Sequence, residues 1–268
     1  MPQRLAATHL RAQESATVSR VLARAGMSRT DAVRRAIALG SGSTGARVKT
    51  GAYAGVVGAL SACGQPLNAA AHHANTAAAR YANSVRLRPG EVNEMCDEVR
   101  LAMEAADAAI ARTRELDDAC ARAREARVVT IPDATGRAAD ALVARVGEEE
   151  YEMLALQAAA SGVSRSAWLR DMVMLVALTW PDIPDGDVAV AHAVDVARLT
   201  VAAQRWDTNA AQVRAAMERL ARARSRDRSI DPLTMASLLA DRERCVDDAR
   251  RCASRMHEAV DPMLGRRP

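Results

Sequence analysis

Two stretches of the chain set out apolar and polar residues in the same order. The first, Arg4 to Leu39, reads RLAATHL, RAQESATVSRVLARAG and MSRTDAVRRAIAL; the second, Asp140 to Leu175, reads DALVARV, GEEEYEMLALQAAASG and VSRSAWLRDMVML. An offset of 136 residues lays Leu10 on Val146, Gly26 on Gly162, Ser28 on Ser164, Arg29 on Arg165, Arg34 on Arg170 and Leu39 on Leu175. Each stretch predicts a short strand, a helix of about four turns, a tight turn and a second helix. Val18, Val21, Leu22 and Ala25 form one apolar stripe at helical spacing, and Tyr151, Leu154, Ala158 and Ser161 a weaker one. Gly26 and Gly162 suit a helix C-terminus that needs a positive φ. Ser28 and Ser164 suit the N-cap of the following helix, where a hydroxyl satisfies an orphan N–H.

A helical extension follows each copy. After the first come a loop, GSGSTG (Gly40 to Gly45), then helices over Tyr53 to Ala62, Leu67 to Val85 and Pro89 to Ala126. After the second come a proline-rich break, TWPDIPDGD, and helices over Val188 to Ala223 and Pro232 to Val260. VVTIPDATGR, from Val128 to Arg137, reads as a linker. The expected division is a strand–helix–helix unit at 1–40, an extension at 46–127, a linker at 128–140, a second unit at 141–179 and a second extension at 186–268. The chain thus reads as an internal duplication.

Composition sharpens the fold class. Among 268 residues there are 60 alanines, three Trp, three Tyr and no Phe. A sandwich or barrel draws on aromatic and β-branched residues, whereas alanine favours helix. The expectation is a mainly α protein with two strand–helix–helix units, one short strand each, and long helical extensions. The net charge is +4, but residues 1–50 carry nine basic side chains against two acids. A basic segment on a near-neutral body points to an anionic partner, most often nucleic acid. The longest strongly apolar run, Met172 to Trp180, is too short to span a membrane, and the start of the chain has no apolar leader segment. Five scattered cysteines suit reduced thiols in a cytoplasmic protein.

The strand–helix–helix layout, with 16 residues from Leu10 to Gly26 and from Val146 to Gly162, resembles the ribbon-helix-helix fold of the MetJ, Arc and CopG type. The resemblance implies that two strands pair antiparallel into a ribbon that enters the DNA major groove. Leu10, Thr8 and Ala6 would then face inward, with His9, Ala7 and Leu5 outward. Val146, Ala144 and Leu142 would face inward, with Arg145, Val143 and Ala141 outward. Arg145, His9 and Arg4 are the candidate base-facing residues, a sparse set that implies modest sequence specificity. The resemblance also implies a phosphate at the N-terminus of each second helix, at Ser28, Arg29 and Thr30 with Arg34 nearby, and at Ser164, Arg165 and Ser166. In the second copy Asp171 follows Arg170, which weakens the expectation there. The strands of one chain would pair with each other as a pseudo-dimer, or like strands would pair in a homodimer.

GQPLNAAAHHAN, from Gly64 to Asn75, resembles a motif of the MobC family of plasmid mobilisation proteins. Gly64, Leu67, Asn68, Ala71 and Asn75 match; Ala69 stands where the family has glutamine. The second half, RWDTNAAQVRAAM, keeps only Asn209 of the most distinctive positions. The resemblance implies a relaxosome accessory protein that binds double-stranded DNA near a transfer origin and assists a relaxase. A ribbon-helix-helix transcriptional regulator, such as an autorepressor, and a helical scaffold that binds protein alone are the alternatives.

No catalytic constellation emerges. Gly40 and Gly45 have P-loop spacing, but Ala46 and Arg47 replace the required Lys and Ser/Thr. His72 and His73 are adjacent and face different sides of a helix, so they cannot share a metal at i, i+4 spacing. Cys245 and Cys252 share one helical face and read as buried thiols. Glu148–Glu150 and Asp117–Asp118 read as solvated acids, and the arginine run from Glu218 to Arg228 as a helix end with a favourable dipole or as a second phosphate-contacting patch. No enzymatic activity, cofactor or metal is expected.

Overall fold

The computed structural model describes residues 3–42, 45–83, 87–132, 134, 136–224 and 230–266. The protein is mainly helical, and its first strand opens the described chain. The chain forms two compact units, each assembled from separated segments: Met1–Gly55 with Arg122–Ala197, and Val56–Ala121 with Arg198–Pro268. This corrects the serial division expected from the sequence. The two strand–helix–helix copies fall in one unit and most of the long helices in the other.

In the first unit, strand β1 (Gln3–Arg11) leads directly into helix α1 (Ala12–Ala25), and α2 (Arg29–Gly40) follows. The second copy repeats the order with β4 (Ala138–Gly147), α5 (Glu148–Ala160) and α6 (Arg165–Thr179). The repeat extends to the caps. The Arg11 N–H donates to Glu14 Oε2 at 2.8 Å, and the Gly147 N–H donates to Glu150 Oε2 at 2.7 Å. Gly26 and Gly162 both adopt the left-handed conformation, at φ 59° and 67°. The Ser28 and Ser164 hydroxyls accept the N–H of residues 31 and 167.

β1 and β4 form a two-stranded antiparallel ribbon within the one chain, with Arg4 opposite Val146 and Leu10 opposite Asp140. Ala6, Thr8 and Leu10, with Leu142, Ala144 and Val146, are buried. The inward Thr8 is satisfied because its hydroxyl donates to the Ser166 carbonyl at 2.7 Å. The second helix of each copy crosses over, α6 packing on β1 and α2 on β4. Val33, Ile37, Trp168, Leu169 and Met172 from these helices complete the core. Burying such apolar side chains is the main stabilising term, at roughly 1.5–3 kcal/mol for each large one.

A second sheet departs from the expectation of one strand per half. β2 (Arg47–Thr50), β3 (Arg127–Ile131) and β5 (Asp187–His192) form a parallel sheet in the order β2-β5-β3. The expected linker at 128–140 therefore contributes β3 and the start of β4. The expected helix from Val188 instead begins as the central strand, whose Val188–Ala191 run is buried along its length.

The second unit is built on α3 (Ala54–Asn83), α4 (Pro89–Glu125), α7 (Ala193–Arg224) and α8 (Pro232–Val260), closed by a 3-10 turn at Asp261–Leu264. The break expected between Ala62 and Leu67 is absent: α3 runs on through Pro66. Small residues sit at its contacts, with Ala70, Ala71, Ala74, Ala106, Ala203 and Ala216 all buried. Polar bonds tie the helices together. The Trp206 indole donates to the Leu60 carbonyl at 3.2 Å, Arg244 reaches Asp107 at 2.7 Å, and His257 reaches Asp207 at 2.7 Å. The run from Glu218 to Arg228 lies partly outside the described residues, as does part of the Gly40–Gly45 loop. No described helix is long and apolar enough to cross a membrane.

Candidate nucleic-acid interface

The ribbon separates its side chains by parity. Gln3, Leu5, Ala7 and His9 of β1 and Ala141, Val143 and Arg145 of β4 are exposed on the side away from the core. Opposite pairs on this side are Leu5 with Arg145, Ala7 with Val143 and His9 with Ala141. Two of these residues are large and apolar, Leu5 at 63% exposure and Val143 at 47%. None of the strand residues on this side is a carboxylate, and among the described residues no side chain bonds to His9 or Arg145.

The other basic candidates are engaged. Arg4 Nε sits 2.9 Å from Glu148, Arg29 Nη2 3.0 Å from Asp140, and Arg34 Nε 3.7 Å from Glu150. The acids of the second copy thus meet the arginines of the first, so the 148–150 cluster is more than a solvated helix start. The consequences show in the acids. The Arg4 guanidinium holds Glu148 below the usual carboxylate range. Asp140 is lowered first by the Ser15 hydroxyl, which donates to it at 3.0 Å, and then by Arg29.

The two helix starts differ in their polar partners. At the start of α2, the Ser28 hydroxyl donates to Asp31 at 2.6 Å and accepts the Asp31 N–H at 3.1 Å, while the Ser28 N–H also donates to that carboxylate. Asp31 is lowered in consequence, and a fixed negative charge already occupies the positive end of the helix. Thr30 lies beside it, half-buried. At the start of α6, Ser164 caps the Ala167 N–H at 3.2 Å and the first turn holds no acid. Arg165 is exposed there, bonded to the Tyr151 hydroxyl at 2.6 Å and stacked over its ring. Asp171, which seemed to weaken this copy, is buried and held by Arg170 and His192.

The second group of sequence candidates belongs to the other unit. Leu67 and Ala71 are buried in α3. Gly64 is a close-approach position, because a Cβ there would lie 2.8 Å from Trp206 Nε1. Asn68 and Asn75, with His72, Thr76 and Gln212, line an open depression, and Asn75 Oδ1 accepts from Arg219 at 2.7 Å. The apolar motif residues are therefore packing residues, and the amides are what the depression presents to solvent. Among the described residues, no cluster of three or more His, Cys, Asp or Glu could hold a metal ion.

The chain matches no protein-family model, no curated protein and no solved structure.

Proposed function

We propose that the protein is a DNA-binding accessory factor of plasmid mobilisation. In this reading a ribbon-helix-helix module places β1 and β4 in the major groove near a transfer origin, and the helical unit engages a relaxase. The observation that carries the DNA-binding part is the solvent side of the ribbon, two antiparallel strands with an acid-free face flanked by two capped helix starts. Such a ribbon is narrow enough for the roughly 12 Å major groove of B-DNA. Arg145 and His9 would meet base edges, and Arg165 at the acid-free start of α6 would meet a phosphate. The relaxase part rests on the likeness of Gly64–Asn75 to the MobC motif. The protein acts by binding rather than by chemistry, as one folded chain.

One observation favours a second reading. Leu5 and Val143 expose apolar surface on the solvent side of the ribbon while Arg4, Arg29 and Arg34 are ion-paired, as on a surface that docks protein. Fluorescence anisotropy with labelled duplexes across a salt series separates the two. DNA binding through four to six phosphates gives a log–log slope of roughly −4 to −5, because each contact releases counterions. A flat response, or no binding at low salt, overturns the DNA reading and leaves the docking one.

A further inference from the structure

The solvent side of the ribbon has a backbone symmetry that its side chains break. Ala7 stands opposite Val143 in the ribbon, and the same two residues are equivalent positions of the two copies. A twofold axis through that pair therefore exchanges Leu5 with Ala141 and His9 with Arg145. Behind the ribbon the symmetry extends to side chains. Arg34 of the first copy faces Glu150 of the second, and the equivalent Arg170 of the second faces Glu14 of the first. On the solvent side it does not. One end of the ribbon carries Leu5 beside Arg145, and the other carries His9 beside Ala141.

In a homodimer such an axis would be exact and both ends would be the same. Here one covalent chain holds two different ends in fixed positions. We infer that the ribbon recognises a non-palindromic duplex site and occupies it in a single orientation. This rests on the DNA-binding reading above. The partner is argued from charge: of the strand residues that stand on the face, Arg145 and His9 are basic and none is a carboxylate, which complements a polyanion. A guanidinium forms a two-pronged bond to guanine O6 and N7, whereas an imidazole cannot supply that fork. Ala7, Val143, Ala141 and Leu5 offer only apolar contact, which suits thymine methyl groups. The site is therefore a T-rich centre with a guanine at the Arg145 flank. Turning the protein around would set His9 against that guanine and lose the fork.

The test uses the purified full chain and a library of duplexes with a randomised core, selected by retention and sequenced. The expected motif has unequal halves, with guanine enriched at one flank alone. Arg145→Ala then loses roughly tenfold of the preference for that guanine, the weight of one bidentate contact, while His9→Ala keeps it. The triple variant Ala7→Val, His9→Arg, Ala141→Leu changes only solvent-facing residues and makes both strands present Leu, Val and Arg; its motif becomes palindromic. A palindromic motif from the parent, or the same motif from parent and triple variant, overturns this inference while DNA binding stands. Retention of no duplex by the parent overturns both.

Discussion

Arg170 Nε stands 3.8 Å from Glu14 Oε1, across the boundary between the second copy and the first. Glu14 is 5% exposed and also accepts the Arg11 N–H, so its carboxylate sits at the junction of β1, α1 and α6. The equivalent pair, Arg34 with Glu150, is more open to water. Equivalent contacts should therefore differ in weight, because breaking a buried pair leaves a charge without solvent while an exposed one is screened. Glu14→Gln is expected to destabilise the protein by about 2 kcal/mol, and Glu150→Gln by under about 1 kcal/mol. Urea denaturation followed by circular dichroism reads both. Equal losses would show that the Glu14 site is as wet as the Glu150 site.

Asp140 restrains Arg29. The carboxylate accepts from Ser15 and Arg29 at 3.0 Å each, at the end of the ribbon where Leu10 pairs with Asp140. Asp140→Asn keeps the size and removes the charge, which releases Arg29 to a phosphate. Affinity for any duplex should rise by about threefold, with the salt slope steeper by about 1. Arg29→Ala should cost little in the parent and more in the Asp140→Asn background. Arg165→Ala, whose partner is the neutral Tyr151, should weaken all sequences alike in the parent. An Asp140→Asn protein that binds DNA more weakly would sink this account of the ion pair.

Much of the first unit was legible in the sequence because its signals are local. The offset of 136, the alternation in Arg4–Leu10 and Ala141–Val146, the capping serines and the left-handed glycines each depend on a few neighbouring residues. What escaped depends on pairing at long range. β5 is buried along Val188–Ala191, so it lacks the alternation of a half-exposed strand and cannot be told from a helix by periodicity. β2 and β3 are short, and their partner β5 is distant in sequence, so nothing in their own residues announces a sheet. The sequence places Gly40 at the start of a loop, yet it is the buried last residue of α2, and a Cβ there would overlap the Trp168 ring. The pairing of Arg4 with Glu148 and Arg29 with Asp140 follows from the antiparallel register, which no linear reading supplies. Asn68 and Asn75 were legible as helix residues, and their shared depression emerged only with Gln212 of α7.

The cysteines should be inert in the folded protein. Cys63, Cys120, Cys245 and Cys252 are buried. Burial pushes the Cys63 thiol up to about 11 and those of Cys245 and Cys252 up to about 12. The thiolate is the reactive species, so at pH 8 these three have almost none of it. Cys96 is partly exposed and is raised by burial as well. Titration with Ellman's reagent should detect about one slowly reacting thiol in the native protein and all five after denaturation. Rapid reaction of three or more native thiols would contradict the packing of α3 and α8.

His192 makes the first unit sensitive to pH. It is the last residue of β5, and its Nε2 lies 3.0 Å from Oδ2 of Asp171, which Arg170 holds on its other oxygen. The hydrogen bond to Asp171 raises the imidazole above its ordinary value, with burial and Arg170 opposing and Asp195 assisting. A histidine raised in the folded state binds its proton more tightly there than in the unfolded chain. Its contribution is therefore fully present below the unfolded value of about 6.5 and is lost as pH rises through the folded value. His192→Gln keeps a hydrogen-bond donor but cannot take up the proton. The parent should exceed this variant by about 1–2 kcal/mol at pH 5.5–6, and the gap should close toward pH 8–9. Urea midpoints for both proteins across that range measure it. A gap that widens with rising pH would mean that the neutral imidazole, and not the charged one, is what Asp171 holds.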